Sequence, residues 1–183
     1  MSPSARADAV RSRERILEVA RGRDAAQLRL NEIARDAGVG VGTVYRHFPN
    51  VRALVEALSV ESLRRLSEAA EAAAQEPDPL VALRRFLDDA LALQLADSGL
   101  QAVLVDLEAS DPAVHSECTA ARAQIHQGFG AVLARAQATG AVRADLSAAQ
   151  LQRLVCGVEH AVRLGSPADR PLLLEVLIAG IRT

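Results

Sequence analysis

Residues 30–49 read LNEIARDAGVGVGTVYRHFP. Leu30, Ile33, Ala34 and Ala37 recur at the spacing of one face of a short helix. Gly38 follows, a residue that takes positive φ without a Cβ clash and so lets the chain turn sharply. A second helix then spans Val41 to Phe48. Val44 and Phe48, four apart, face inward and leave Val41, Gly42, Thr43, Tyr45, Arg46 and His47 at or near the outer side. Small Ala34, glycine four residues later and branched Val44 six after that give the spacing of a helix-turn-helix. A plain helical hairpin inside a bundle would share these apolar positions. The exposed Thr, Tyr, Arg and His distinguish the two, because they are donors suited to phosphates and base edges.

On these residues the stretch GVGTVYRHFPNVRALVEAL (40–58) resembles the DNA-binding domain of the TetR family of bacterial transcriptional regulators. The match runs from about Arg13 to Leu58 and is specific in Ile33-Ala34, Ala37-Gly38-Val39 and Gly42 to Phe48. The resemblance implies a dimer that places two heads in successive major grooves of a near-palindromic, double-stranded operator. Thr43, Tyr45 and His47 would hold phosphates, with Val41, Gly42 and Arg46 nearest the base edges, and Gly40 would leave its helix N-terminus open to a phosphate. Four departures stand out. The first helix is about one turn short, and Arg29 replaces the usual Ser or Thr cap of the second. Gly40-Val41 stand where Ser-Lys is common, and Val51 replaces a Lys, leaving Arg52 as the nearby cation.

Composition points to an all-α chain. Half of the 183 residues are apolar, mostly Ala and Leu, and only four are aromatic. All 21 basic residues are Arg, and the net charge of −2 is unevenly spread. Residues 1–52 carry ten Arg against six acids, net +4, and residues 53–183 eleven against seventeen, net −6. A basic head (1–52) on an acidic ligand-binding and dimerisation body (53–183) suits a protein that touches DNA at one end. No apolar run reaches membrane-spanning length and no leader h-region opens the chain, so no membrane partner is expected and the location reads as cytoplasmic.

Met1 to Val10 reads as a small, polar, mobile arm, followed by a first helix over about 12–21. The arm carries Arg6, Arg11 and Arg13, within reach of phosphate or a minor groove. Asn50 caps a long fourth helix over about 51–74. Asp78-Pro79, Asp111-Pro112 and Ser166-Pro167 each place a capping side chain before a proline, Ser147 with Gln150 forms a capping box, and Gly140 and Gly165 are stops. The body helices fall at about 79–96, 100–109, 112–138, 147–164 and 167–182, nine helices in all.

Leu172 to Ile181 reads LLLEVLIAGI, nine apolar residues and one Glu. A helix apolar almost all round must be covered on more than one side. Leu151, Leu154, Val155, Val158 and Val162 on the preceding helix, with Leu173, Leu174, Leu177, Ile178 and Ile181, make a candidate two-fold interface of four helices. TetR-like proteins commonly pair through their last two helices.

His115-x-x-Cys118 and Cys156-x-x-x-His160 have ligand-like spacing. However, the 1.5 Å rise puts Cys118 roughly 30 Å and Cys156 roughly 15 Å from the turn near Gly140, at different heights on neighbouring helices. No metal or cofactor is expected. Without GxSxG, phosphate loop or HExxH, an enzyme is not expected either. The resemblance implies a small-molecule effector among the middle helices, with Phe86, Gln94, Leu104, Leu107, Arg122, His126 and Phe129 as candidates. So few aromatics would line an aliphatic site for an apolar or amphipathic effector. The reading is a regulator, a repressor released by its effector. The alternative is a helical ligand-binding or interaction module with lost or weak DNA binding.

Overall fold

The computed structural model describes residues 3–105 and 116–183. Nine α-helices occur among them: α1 (Pro3–Ala20), α2 (Leu30–Asp36), α3 (Val41–His47), α4 (Val51–Gln75), α5 (Pro79–Ala96), α6 (Leu100–Val105), α7 (Ser116–Ala138), α8 (Ala148–Leu164) and α9 (Arg170–Ile181). No strand forms among the described residues. One isolated bridge, Val142 to Arg182, ties the end of α9 to the loop after α7 through Arg143 N–H and Ile181 C=O at 3.0 Å. The fold class is all-α, as composition predicts. No described helix is long and apolar enough to cross a membrane.

Local chemistry fixes the helix ends. Asn50 Oδ1 accepts from Ala53 N–H at 2.8 Å, and Asp78 Oδ1 accepts from Leu80 and Val81 N–H. Ser147 and Gln150 cap each other reciprocally. Each such cap contributes about 1 kcal/mol. Gly140 takes φ +72°, and the N–H of Ala141 reaches back to Ala136 C=O, which closes α7. The Asp111-Pro112 signal lies outside the described residues.

Two boundaries differ from the sequence reading. Residues 3–10 are helical, so α1 begins at Pro3 instead of following a loose arm. Proline suits a first helical position, and no glycine interrupts the run after it. The other end of α1 falls where the sequence places it, just before Gly22 at φ +80°, and a 3-10 turn at Ala25–Gln27, capped by Asp24, fills the gap before α2. The last helix is divided: Ser166 caps a 3-10 turn at Pro167–Asp169, and α9 starts at Arg170. Pro171 lacks an N–H to bond backward, so it belongs in a first turn and not deeper in a helix.

The described chain forms two compact units. One holds residues up to Val60 together with Ser98–Val105, and the other holds Glu61–Asp97 together with Ser116–Thr183. In the first, α1, α2 and α3 pack around Ile16, Ile33, Val44, Phe48 and Leu54, each with no exposed surface. In the second, α5 is the centre, touching α7, α8 and α9. Phe86 and Phe129 stack there at 5.2 Å between centroids, among Leu83, Leu87, Leu91, Val132 and Leu151. A Cβ on Gly128 would meet Ala70 Cβ at 3.0 Å, so this glycine sets how closely α7 approaches α4.

Arginines do in this unit what apolar packing cannot. Arg135 donates to the carbonyls of Ala73, Ala74 and Glu76 at the end of α4, and Arg163 to Gln94 C=O at the end of α5. Carbonyls at a helix end lack the full set of intrahelical partners, and a cation there also meets the negative end of the helix dipole. Arg163 is in turn held by buried Glu159.

Candidate nucleic-acid interface

The turn between α2 and α3 closes as the glycine spacing requires. Gly38 adopts φ +62°, its N–H bonds Arg35 C=O, and Val39 N–H bonds Ala34 C=O at 3.0 Å. This paired closure directs α3 across α2. Arg29 precedes α2 with no side-chain cap, its guanidinium donating instead to Ala26 and Leu28 carbonyls. On the opposite side, Arg23 holds Asp36 at 2.6 Å, and hydrogen bonds from Arg23 and then Arg35 keep the Asp36 carboxyl below its ordinary range.

Helix α3 has two unlike sides. Val44 and the adjoining Phe48 are completely buried. Val41 and Tyr45 are about half exposed, Gly42 and Arg46 are exposed, and Thr43 and His47 are partly covered. Arg13 from α1 lies over the Phe48 ring at 5.6 Å, a cation–π contact that brings a further positive charge beside the helix. Burial first, then the charges of Arg13 and Arg46, hold the His47 pKa below its usual value. The imidazole is therefore neutral at pH 7 and can donate or accept.

The glycines of α3 carry information that burial does not. Gly42 lies inside the helix, where glycine is unfavourable, and a Cβ there would find nothing within 4 Å. Nothing in the chain itself requires its smallness. Gly40 starts α3 at φ −65° and ψ 141°, without a side-chain cap. Beside Tyr45 is a hollow of about 350 Å³ bordered by Arg29, Asn31, Pro49, Asn50 and Val51. Arginine guanidinium, phenol and amide around a groove can hold a phosphodiester.

Arg52, expected to replace the missing lysine, is paired within its own helix. Its Nε donates to Glu56 at 3.0 Å, and its side chain is three-quarters covered. The carboxylate four residues on holds the guanidinium along α4.

In the second unit, the candidate effector residues Phe86, Gln94, Arg122 and Phe129 are buried and His126 is half-buried. The two phenylalanines stack on each other. Leu104 is buried in the first unit, and Leu107 lies outside the described residues.

The candidate dimer residues divide by burial. Leu151, Val155, Val162, Leu174, Leu177, Ile178 and Ile181 are buried within one chain, where α8 and α9 pack on each other and on α5. Of the other three, Leu154 is 45% exposed, and Val158 and Leu173 are intermediate. Leu172 and Val176, at 65% and 60% exposed, and Leu164 are exposed apolar side chains on the same two helices that the sequence did not single out.

Cys156 is half-buried beside Gln94, and His160 is exposed. His115 and the Cys118 side chain fall outside the described residues. Among those described, no three His, Cys, Asp or Glu side chains gather into a metal site.

Residues 15–58 match the family of bacterial regulatory proteins, tetR family, and residues 78–183, more than half of the chain, match the SbtR-like C-terminal domain of transcriptional regulators. No curated protein matches significantly. A TetR transcription regulatory protein from Mycobacterium vanbaalenii is 36% identical over 98% of this chain and 99% of its own, with a TM-score of 0.48. The ketosteroid transcriptional regulator KstR2 of Mycobacterium tuberculosis is 21% identical, over 93% of this chain and 95% of its own, with a TM-score of 0.66. FadR from Bacillus subtilis, in complex with stearoyl-CoA, is 18% identical over 94% and 99%, with a TM-score of 0.59.

Proposed function

This chain belongs to the TetR family of bacterial regulatory proteins, DNA-binding transcriptional regulators, and from that premise we propose that it is a homodimeric repressor whose α3 enters the major groove. The observation that carries the reading is Gly42, exposed inside a helix with open space where its side chain would be. A Cβ-free position there admits the close approach of a base edge or sugar. Arg46 reads a base, while Thr43, Tyr45 and His47 hold phosphates, with Gly40 and Val41 at the helix start.

The pairing surface is the outer side of α8 and α9. Of the eight large apolar side chains exposed among the described residues, Leu154, Leu164, Leu172 and Val176 are on these two helices. An apolar patch of that kind calls for cover, and a second copy of the same two helices supplies it self-complementarily.

The effector is apolar or amphipathic and binds in the unit built on α5 and α7, its polar end met by Gln94, Arg122 or His126. The fold is one in which FadR holds stearoyl-CoA. Binding relieves repression to the extent that the effector prefers the state whose head spacing mismatches the operator.

Fluorescence anisotropy against the DNA upstream of the protein's own gene, at two salt concentrations, tests the reading. Specific binding that weakens steeply with salt is expected. Equal affinity for an unrelated duplex would favour the alternative, a helical module that has lost operator recognition.

A further inference from the structure

The first unit contains a cavity that neither operator binding nor the effector reading uses. It has a volume of about 440 Å³, within the range of small-ligand sites, and lies between the 3-10 turn ahead of α2, the start of α4, and α6. Its walls are Val51, Val55 and Val103 with small alanines, and its polar groups are Asp24, Arg52, Glu56 and Ser98. The lining holds two carboxylates and one guanidinium, one net negative charge.

Glu56 is the unusual member. It is 1% exposed, and one carboxylate oxygen accepts from Arg52. The other oxygen, Oε2, is buried with no hydrogen-bond partner. Ser59 Oγ, one turn further along α4, is also buried without a partner. Buried polar atoms are nearly always satisfied, and a carboxylate oxygen is among the costliest to leave bare. A half-satisfied carboxylate on the wall of an apolar cavity is suited to receive a donor from outside the chain.

We propose that this cavity is a binding site for a small organic cation, an ammonium or amidinium on a short apolar body, whose charged end bonds Glu56 while its body lies on Val51, Val55 and Val103. Glu56 itself is shielded from water, and a hydrogen bond between two charged groups is about twice as strong as a neutral one. The site is separate from the unit that holds the proposed effector. It also borders the turn whose Ala25 N–H is held by Ser98 Oγ at 3.2 Å, immediately ahead of the helix-turn-helix.

The test is calorimetric titration of the full-length protein with 2-phenylethylammonium and with its neutral counterpart, 2-phenylethanol. The parent should bind the cation at least about tenfold more tightly than the alcohol. Glu56→Gln, which keeps an oxygen for Arg52 and removes the charge, should erase that preference. Ala102→Leu, at an exposed position on the cavity wall, should block both compounds while leaving the helical circular dichroism of the parent unchanged. No binding by the parent at millimolar concentration, equal binding of cation and alcohol, or an Ala102→Leu variant that binds like the parent would each overturn the proposal. The last outcome would stand even if Glu56→Gln failed to fold.

Discussion

Helix α3 and helix α9 are both short and both half-covered, but their uncovered sides are opposite in kind. In α3 the bare side shows glycine, phenol and guanidinium, with Val44 and Phe48 locked beneath. In α9 the bare side shows Leu172 and Val176, no less apolar than the Leu174 and Ile178 it buries. A side chain that does nothing for its own fold is a clue to something outside it. The chemistry of each side underlies the partner proposed for it: a polyanion for α3, another apolar surface for α9.

Breaking the apolar surface should have the larger effect. Leu154→Glu with Val176→Glu places two charges on the proposed two-fold interface and touches no buried position. Sedimentation should then report the mass of one chain, and operator affinity should fall by at least about a hundredfold as the advantage of two joined heads disappears. A doubly charged variant that stays dimeric would move the interface elsewhere.

The polar surface is best probed by separating fold from function within one helix. Gly42→Leu should leave thermal stability equal or higher, since leucine is the better helix former. It should still cost about 2–3 kcal/mol of operator binding, because the new side chain occupies space meant for DNA. Val44→Ala, two residues on, should do the reverse and destabilise the head by about 2 kcal/mol. If Gly42→Leu binds operator normally, α3 is not the reading helix.

Legibility follows the same division. The two sides of α3 could be told apart in sequence because Val44 and Phe48 recur with helical period among polar residues. The stretch LLLEVLIAGI has no such contrast, so its apolar count required cover on two sides without assigning residues to either, and seven of the ten residues named for the interface are interior. The pairing of Arg52 with Glu56 was legible, since residues four apart on the expected fourth helix face each other, but the complete burial of Glu56 was not. Pro171 carried a boundary signal that outranks periodicity, a missing N–H that keeps it in a first turn.

Smaller effects sharpen the assignment of roles along α3. Arg46→Ala should cost about 1–3 kcal/mol and flatten the preference among operator sequences, whereas Tyr45→Phe should lower affinity for every sequence by about 1 kcal/mol. His47 adds a pH dependence of determinate sign. Burial and its cationic neighbours depress its pKa in the free protein from 6.5. The unfolded chain therefore binds the proton more readily, and head stability falls as pH drops through that value. Operator phosphate acts the other way, favouring imidazolium, so affinity should rise a few-fold from pH 8 to pH 6. His47→Gln should remove both slopes, and an unchanged slope would place His47 away from the phosphates.

The least change expected comes from repairing a departure from the family pattern. Gly40 begins α3 with ordinary extended dihedrals, and a Cβ there would meet Thr43 Oγ1 at 3.7 Å, a normal contact. Gly40→Ser is therefore admitted without strain, and its hydroxyl can accept the Thr43 N–H as a cap. Replacing a glycine cap with serine gains only a few tenths of a kcal/mol, about 1 °C in Tm for a chain of this length. The same hydroxyl also offers a phosphate donor, so operator affinity should rise about twofold while sequence preference stays as it was. A stability gain without the affinity gain would mean that the amino end of α3 lies off the DNA backbone, and that the helix enters the groove by its middle, through Gly42 and Arg46.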